Sequence, residues 1–405
     1  MKETVVIAGA GHAAGQLVVS LKQKKYDGKI VLVGDEPYLP YQRPPLSKKF
    51  LAGAMDAERL FVKPASFYDD TNIELRLETQ ISAIDRDRKC LRSSDGDEIP
   101  YGKLVLALGS RARQLPVEGA KLMCIHYLRS IADVEHIRED FQSGRRLVVV
   151  GAGYIGLEVA AVAQQAGLDV TVIEMANRVM SRVVSPEISD FYQIEHTNQG
   201  VKFRLSTGVS AFTGKKRVKS VTTSEGEEIP ADLVVIGVGI LPNTELATEA
   251  GLDVDNGIVV DDHCQTGDPN VYAVGDCTLH PNAIYSRRLR LESVHNAVEQ
   301  AKTAAANICG EDTSYSQVPW FWSDQYDLKL QIAGLSEGYD SVAIRGNPVE
   351  RSFSCLYLKE NRLIAVDAIN APRDFVQSKQ LIADGIEIDP GSLDDTTTAL
   401  KDLVA

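Results

Sequence analysis

Residues 148–158 read Val-Val-Val-Gly-Ala-Gly-Tyr-Ile-Gly-Leu-Glu, and the fold turns on that stretch. Three β-branched residues predict a buried strand. Gly151, Gly153 and Gly156 then supply a G-x-G-x-x-G turn into a helix that runs through Glu158 to Gly167. The glycines serve a tight turn, close backbone approach to a pyrophosphate, and close helix–strand packing, with the diphosphate on the helix N-terminus. The next predicted strand, 169–173, ends in Glu174, about 20 residues on, where a carboxylate can hold a ribose 2′-hydroxyl. A glycine-rich turn also arises incidentally, so a second copy decides its meaning.

That copy lies at the start of the chain. Residues 4–8 (Thr-Val-Val-Ile-Ala) predict a buried strand, followed by Gly9, Gly11, Ala14 and Gly15, which open a helix running toward Lys22. Alanine is allowed in place of the third glycine. A second strand at 30–33 delivers Asp35 and Glu36. Further on, residues 95–109 align without a gap on residues 225–239, each a hairpin turn feeding a buried strand. The two halves therefore share one order: glycine loop, small β-meander, hairpin, buried strand. This is an α/β chain with two tandem Rossmann-like dinucleotide-binding domains of the glutathione-reductase-like kind.

Between the copies, Tyr38-Leu-Pro-Tyr-Gln-Arg-Pro-Pro-Leu-Ser-Lys48 is stiffened by three prolines, which forbid a helix until after residue 45. A short helix through Lys48 to Leu51 is expected to follow. The loop either presents Arg43 and Lys48 to a ligand at little entropic cost or is a solvated surface loop. A late strand near 266–276 ends in Gly-Asp276 and suits a return to the first sheet, with Asp276 facing a polyol. An alanine-rich helix is expected over 293–308. From Pro319 the character changes: Pro-Trp-Phe-Trp-Ser-Asp-Gln-Tyr326 holds both tryptophans, and strands are expected near 328–334, 340–345, 352–358 and 363–369. A helix near 373–384 completes a C-terminal α+β domain. Two dinucleotide-binding units suggest two different dinucleotides, and the expected division is 1–112 with 245–318 as a discontinuous first dinucleotide-binding domain, 113–244 as the second, and 319–405 as the α+β domain.

The chain has 405 residues and a net charge of −13, which argues against nucleic acid or an anionic membrane as main partner. No apolar run approaches the ~18 residues of a membrane span, and the first strand begins too early to leave room for a signal peptide. The six cysteines are scattered, without C-x-x-C or metal-ligand spacing, so no metal is expected and a cytoplasmic location is.

Together these residues resemble the flavoprotein ferredoxin reductases that feed bacterial P450 and Rieske oxygenase systems, over essentially the whole chain. The carrying motifs are 5–15, Gly34-Asp-Glu-Pro through Arg-Pro-Pro-Leu-Ser-Lys48, Leu106-Ala-Leu-Gly109, 148–158, Ala273-Val-Gly-Asp276, Glu292-Ser-Val-His-Asn-Ala and the block at 319–326. Arg-Pro-Pro-Leu-Ser-Lys and Pro-Trp-Phe-Trp-Ser-Asp-Gln are the narrow ones. The resemblance implies that Gly9, Gly11 and Ala14 cradle the FAD pyrophosphate and Asp35 its adenosine ribose. It implies further FAD contacts from Arg43, Lys48, Ile81 (backbone), Arg129, Asp276 and Val294. Lys48 is expected near flavin N5, paired with Glu158, which would touch the nicotinamide carboxamide; Trp322 is expected beside the flavin on the electron exit route. NADH falls to Gly151, Gly153, Gly156, Glu158, Glu174 and Gly239. His295 stands where the family has proline, and the plain reading is a helix start.

Hydride transfer needs no acid–base residue, so none is assigned. Disulfide reductases of this architecture need a cysteine pair, and related peroxidases and NADH oxidases one cysteine in the loop after the first acidic strand end; residues 37–48 contain none. The expected acceptor is therefore a one-electron carrier, a [2Fe–2S] ferredoxin serving a P450 or Rieske oxygenase. Glu174 predicts NADH over NADPH, because like charges ~4 Å apart cost ~1 kcal/mol in water and ~4 at an effective dielectric of 20; Arg178 and Arg182 could weaken this by engaging a phosphate. Arg287, Arg288 and Arg290 form the best basic cluster for an acidic ferredoxin, or else a solvated loop. Rival readings are a rubredoxin or monodehydroascorbate reductase of the same fold and, in another class, an apoptosis-inducing-factor-like NADH-binding scaffold, against which the short N-terminus and acidic balance argue.

Overall fold

The computed structural model describes residues 3–403. The chain divides into two compact units, the first made of Met1–Arg43, Ala57–Arg111 and Leu241–Pro319, the second of Pro44–Asp56, Ala112–Ile240 and Trp320–Ala405.

In the first unit the glycine loop does what its spacing asks. Strand Val5–Ala8 is wholly buried, and helix His12–Gln23 starts directly after Gly11. A five-stranded parallel sheet runs in the order Val271–Ala273, Lys103–Leu106, Val5–Ala8, Ile30–Val33, Ile73–Arg76. The late strand thus returns to the first sheet. Four of these strands are buried and nearly continuous in apolar residues, as a covered parallel sheet requires, whereas the edge strand Ile73–Arg76 carries Glu74 and Arg76. The alanines of helix Val294–Ile308 share one core with the first helix: Ala297, Ala301, Ala304 and Ala305 cluster with Ala13, Ala14 and Leu17.

The second unit repeats the sheet, in the order Lys202–Arg204, Asp169–Ile173, Arg146–Val150, Leu233–Ile236, Ile125–Tyr127, again all parallel. Helix Tyr154–Gln165 leaves the second glycine loop. The same unit holds a five-stranded antiparallel sheet, Trp320–Gln325, Leu328–Gly334, Arg362–Ile369, Ser352–Lys359 and Ser341–Asn347, with helix Pro372–Asp384 against it.

Two local expectations change. The aromatic block is itself a strand, Trp320–Gln325, at the edge of the antiparallel sheet. Its alternation is hard to read because large aromatics stand on both faces and the fully buried positions are polar, Ser323 and Gln325. No α-helix follows the prolines either: Pro44–Ser47 is a 3-10 turn, and the Lys48 and Phe50 amides both donate to the Pro45 carbonyl. Proline at 44 and 45 supplies no amide hydrogen, so the segment closes in short turns. Arg138 stacks its guanidinium 4.3 Å over the Phe50 ring just beyond them. No helix among the described residues is long and apolar enough to cross a membrane.

Candidate active site

Both glycine loops are shaped by close backbone contact. Gly9 and Gly151 adopt φ of +107° and +102°, and a Cβ would lie 2.3 Å from the Ala107 carbonyl oxygen in one and 2.4 Å from that of Gly237 in the other. Only glycine fits there. Gly11 and Gly153, the residues that precede each helix, have ordinary backbone angles, no side-chain cap, and open space where a Cβ would stand. Amides at a helix start without a capping oxygen, beside an opening that a side chain would fill, are what a pyrophosphate needs. On that test the residues fit a dinucleotide in each unit.

The acidic strand ends differ. Asp35 is exposed, while its neighbour Glu36 organises the proline loop, accepting from the Tyr41 hydroxyl at 2.7 Å and from Arg43 at 3.0 Å. Glu174 is half-buried, and its carboxylate accepts from the amides of Ala152 (2.7 Å) and Ala176 (2.9 Å). It therefore braces the second glycine loop as well as ending the strand. Arg178 is drawn inward, donating to the Val184 and Ser181 carbonyls and to Ser189 Oγ. That overturns the expectation that Arg178 could meet a phosphate. Arg182 stays exposed, its Nη2 3.8 Å from where a Cβ on Gly239 would lie.

In the first unit, Asp276 follows the late strand and accepts from Ser110 Oγ at 2.9 Å. The Gly275 amide donates to Gln300 Oε1 at 2.7 Å, which fixes the turn that carries Asp276. His12, first in its helix, lies within electrostatic reach of both Asp276 and Arg43; burial lowers its pKa, partly opposed by Asp276. Val294 opens its helix beneath the Ser293 cap, whose Oγ accepts from the Asn296 amide. Ile81 begins a meander strand and pairs with Ser93. Thus Gly9, Gly11, Ala14, Asp35, Arg43, Ile81, Asp276 and Val294 belong to the first unit, and Lys48 and Arg129 to the second.

The second unit brings Lys48 and Glu158 together. Lys48 Nζ lies 2.7 Å from Glu158 Oε2, with side chains 15% and 3% exposed. Ser47 Oγ donates to the same Oε2 at 2.5 Å, and Ser323 Oγ donates to Oε1 at 2.6 Å. A buried carboxylate is tolerable only when paired and hydrogen-bonded, and Glu158 is both. Helix Tyr154–Gln165 supplies the acid, the proline turn the cation and one serine, and strand Trp320–Gln325 the other serine. Next to Ser323, Trp322 stacks obliquely on Trp320 with ring centres 5.4 Å apart, and Phe321 lies 4.8 Å from the Tyr154 ring. Sequence reasoning missed Ser47, Ser323, Gln300 and His12. The two serines had a signal, since each sits inside one of the narrow motif blocks.

The basic cluster is only partly presented. Arg287 and Arg288 are exposed on a short strand, with Arg288 donating to the Val260 carbonyl, whereas Arg290 is mostly buried and pairs with Glu292 at 2.6 Å. No cysteine forms a disulfide, and five of the six are buried. Burial lifts Cys124 and Cys277 to about 11 and Cys355 to about 12, so these thiols stay protonated.

Two nucleotide loops, a buried Lys–Glu pair and an antiparallel C-terminal sheet define a flavin- and nicotinamide-dependent oxidoreductase. The chain belongs to the pyridine nucleotide-disulphide oxidoreductase family, whose model matches residues 3–301, and within it to the ferredoxin reductases; a reductase C-terminal model matches residues 320–404. It is similar to putidaredoxin reductase of Pseudomonas putida, 45% identical over all of this chain and 97% of that one. Rhodocoxin reductase of Rhodococcus erythropolis is 45% identical over 99% of this chain and 94% of its own. Among solved structures, the covalent putidaredoxin reductase–putidaredoxin complex matches with a TM-score of 0.96 at 44% identity, covering 99% of this chain and 98% of that one. Members of this family use FAD and NAD(H).

Proposed function

We propose that this protein takes reducing equivalents from NADH and hands single electrons to a [2Fe–2S] ferredoxin that serves a P450 or Rieske-type oxygenase in the cytoplasm. The observation that carries the reading is the Lys48–Glu158 pair, buried and held by serines from both narrow motif blocks. When bound, FAD supplies the redox chemistry, accepting electrons in pairs and releasing them singly. The protein supplies position and charge. Residues 1–112 and 245–318 hold FAD through Gly9, Gly11, Ala14, Asp35, Arg43, Lys48, Ile81, Asp276 and Val294, with Arg129 added from outside that range. Residues 113–244 hold NADH through Gly151, Gly153, Gly156, Glu174 and Gly239. Glu158 orients the nicotinamide amide, and Lys48 keeps a cation where negative charge develops. Trp322 lies on the electron exit route, in the domain of residues 319–405.

The choice of acceptor is supported by the thiols. None lies in residues 37–48, and burial keeps Cys124, Cys264, Cys277 and Cys355 protonated, so these thiols do not stand ready to receive an electron pair. Arg287 and Arg288 offer exposed positive charge to an acidic ferredoxin in a chain of net charge −13, which would make docking local and salt-sensitive. The test is NADH-driven cytochrome c reduction with a [2Fe–2S] ferredoxin, a rubredoxin, or neither. Acceleration of about tenfold or more by the ferredoxin, falling with salt, is expected on steering grounds. Equal rates with and without it would contradict the reading.

A further inference from the structure

Behind Glu158 runs a line of buried polar side chains to which the function above gives no part. Glu158 Oε1 accepts from the Ser323 hydroxyl at 2.6 Å. Gln325, two residues along the same strand and so on the same face, brings its Nε2 to 3.2 Å from Ser323 Oγ. Its Oε1 lies 2.8 Å from His196 Nε2, and the Tyr326 hydroxyl lies 3.2 Å from His196 Nδ1. Ser323, Gln325 and His196 are 0%, 1% and 0% exposed, so the line is sealed from solvent along its middle. It joins the helix of the second glycine loop, the edge strand Trp320–Gln325 and helix Pro186–Asn198.

The donors in this line can be ordered in one direction only. A carboxylate accepts and cannot donate, so the single Ser323 proton goes to Glu158. Ser323 Oγ must then accept from the Gln325 amide group, which turns the Gln325 oxygen toward His196. His196 therefore carries its proton on Nε2, and Nδ1 accepts from Tyr326. Reversing the line would leave Ser323 with one proton for two acceptors. Burial lowers His196 to about 4, against the opposing pull of its bond to Gln325, so the ring is neutral and has one proton to place. Burial raises the Tyr326 phenol, which keeps its proton to donate.

We propose that Ser323, Gln325 and His196 are positioning residues: a one-way donor line that fixes the carboxylate of Glu158 and, through it, the ammonium of Lys48. The proposal rests on the function proposed above. Glu158 Oε2 is shared by Ser47 and Lys48, whereas Ser323 is the donor on Oε1. The terminal torsion of a glutamate is broad, so an unheld carboxylate turns readily and carries its partner with it. The strand that delivers Ser323 also carries Trp322, so one backbone segment sets the acid and the aromatic together.

The test uses the FAD-loaded holoenzyme with ¹⁵N-labelled histidine rings. Long-range ¹H–¹⁵N spectra are expected to show His196 protonated on Nε2 alone, and Ser323→Ala, which frees the Gln325 amide to turn over, is expected to mix the tautomers. In rapid mixing with saturating NADH, Ser323→Ala is expected to keep its FAD and to slow flavin reduction about tenfold, the loss of one hydrogen bond to a charged group. A wild-type His196 protonated on Nδ1, or a Ser323→Ala variant reduced at the wild-type rate, overturns the proposal. Failure of the wild-type holoenzyme to be reduced by NADH overturns instead the function on which it rests, and the tautomer result separates the two.

Discussion

In the loop at 9–15 the third fingerprint position is Ala14 and the helix goes on to Gln16; in the loop at 151–157 the same positions hold Gly156 and, next in the helix, Glu158. Gln16 makes a local bond to Ser20 Oγ at 3.1 Å, while Glu158 gathers two serines and a lysine. The sheets around the loops have the same strand order, but the outer strand comes late in the first unit (Val271–Ala273) and early in the second (Ile125–Tyr127). Asp35 is exposed, whereas Glu174 is tied to two amides of its own loop. One plan has thus been reused with different side chains, and the differences are where the chemistry lies. A nucleotide loop identifies a binding mode; the residue one helical turn further on separates holding a cofactor from working on it.

Exchanging the residues that differ probes this directly. Gly156→Ala makes the second loop a copy of the first, yet its Cβ would lie 2.0 Å from the Gly151 carbonyl oxygen. Overpacking against backbone is expected to cost about 3 kcal/mol in urea unfolding and to abolish NADH binding, whereas Ala14→Gly costs about 1 kcal/mol. Equal effects would mean the loops are interchangeable. Glu158→Ala leaves Lys48 buried beside an empty partner position, and removal of one member of a buried pair costs about 3 kcal/mol or more. Flavin reduction by NADH is expected to slow about a hundredfold on that basis with FAD retained, while Gln16→Ala changes it less than about threefold. Glu174→Arg removes the like charge that disfavours a 2′-phosphate. The NADH/NADPH ratio of kcat/KM is expected to fall by roughly tenfold to a thousandfold, and an unchanged ratio would remove Glu174 from cofactor choice.

The last effect concerns a brace on the segment after the second loop. The Ser185 amide donates to the Tyr357 hydroxyl, which donates to Asp367, and burial raises that carboxyl to about 7 against the pull of the Tyr357 bond. Below the ordinary carboxyl range both folded and unfolded chains hold this proton. From there to about 7 only the folded chain does, so stability from this group falls as pH rises through that window and levels off above it. Between pH 5 and 8 the loss is about 2 to 3 kcal/mol. Asp367→Asn is expected to remove it, read as the difference between wild-type and variant unfolding curves at the two pH values. A constant difference would show that Asp367 ionises normally.

Much of this fold was open to reading in the chain because its strands are buried on both faces and its loops require glycine. Val5–Ala8, Arg146–Val150 and their helices announce themselves through hydrophobic runs broken by G-x-G. The return of Val271–Ala273 to the first sheet was legible from its late place and its Gly-Asp end. Strand Trp320–Gln325 was not, since its aromatic residues stand on both faces and its buried positions are polar. The Lys48–Glu158 pair came from resemblance, not from spacing, because 109 intervening residues carry no periodic signal. Ser47 and Ser323 escaped notice for a physical reason: a serine matters here only by what lies across from it, and that is set by tertiary packing. Arg178 looked like a phosphate ligand until the fold showed its fork satisfied by two carbonyls and a hydroxyl.

The central claim is the division of labour between the loops, FAD on the first and NADH on the second. Gly11 and Gly153 test it with least disturbance, because each has ordinary backbone angles and open space where a side chain would stand. A valine at either position meets a dinucleotide and not the protein. Purified Gly11→Val is expected to be colourless, and Gly153→Val to be yellow but unbleached by anaerobic NADH at concentrations that fully bleach the wild type. A yellow Gly11→Val protein, or a Gly153→Val protein bleached at wild-type NADH concentrations, would contradict the account.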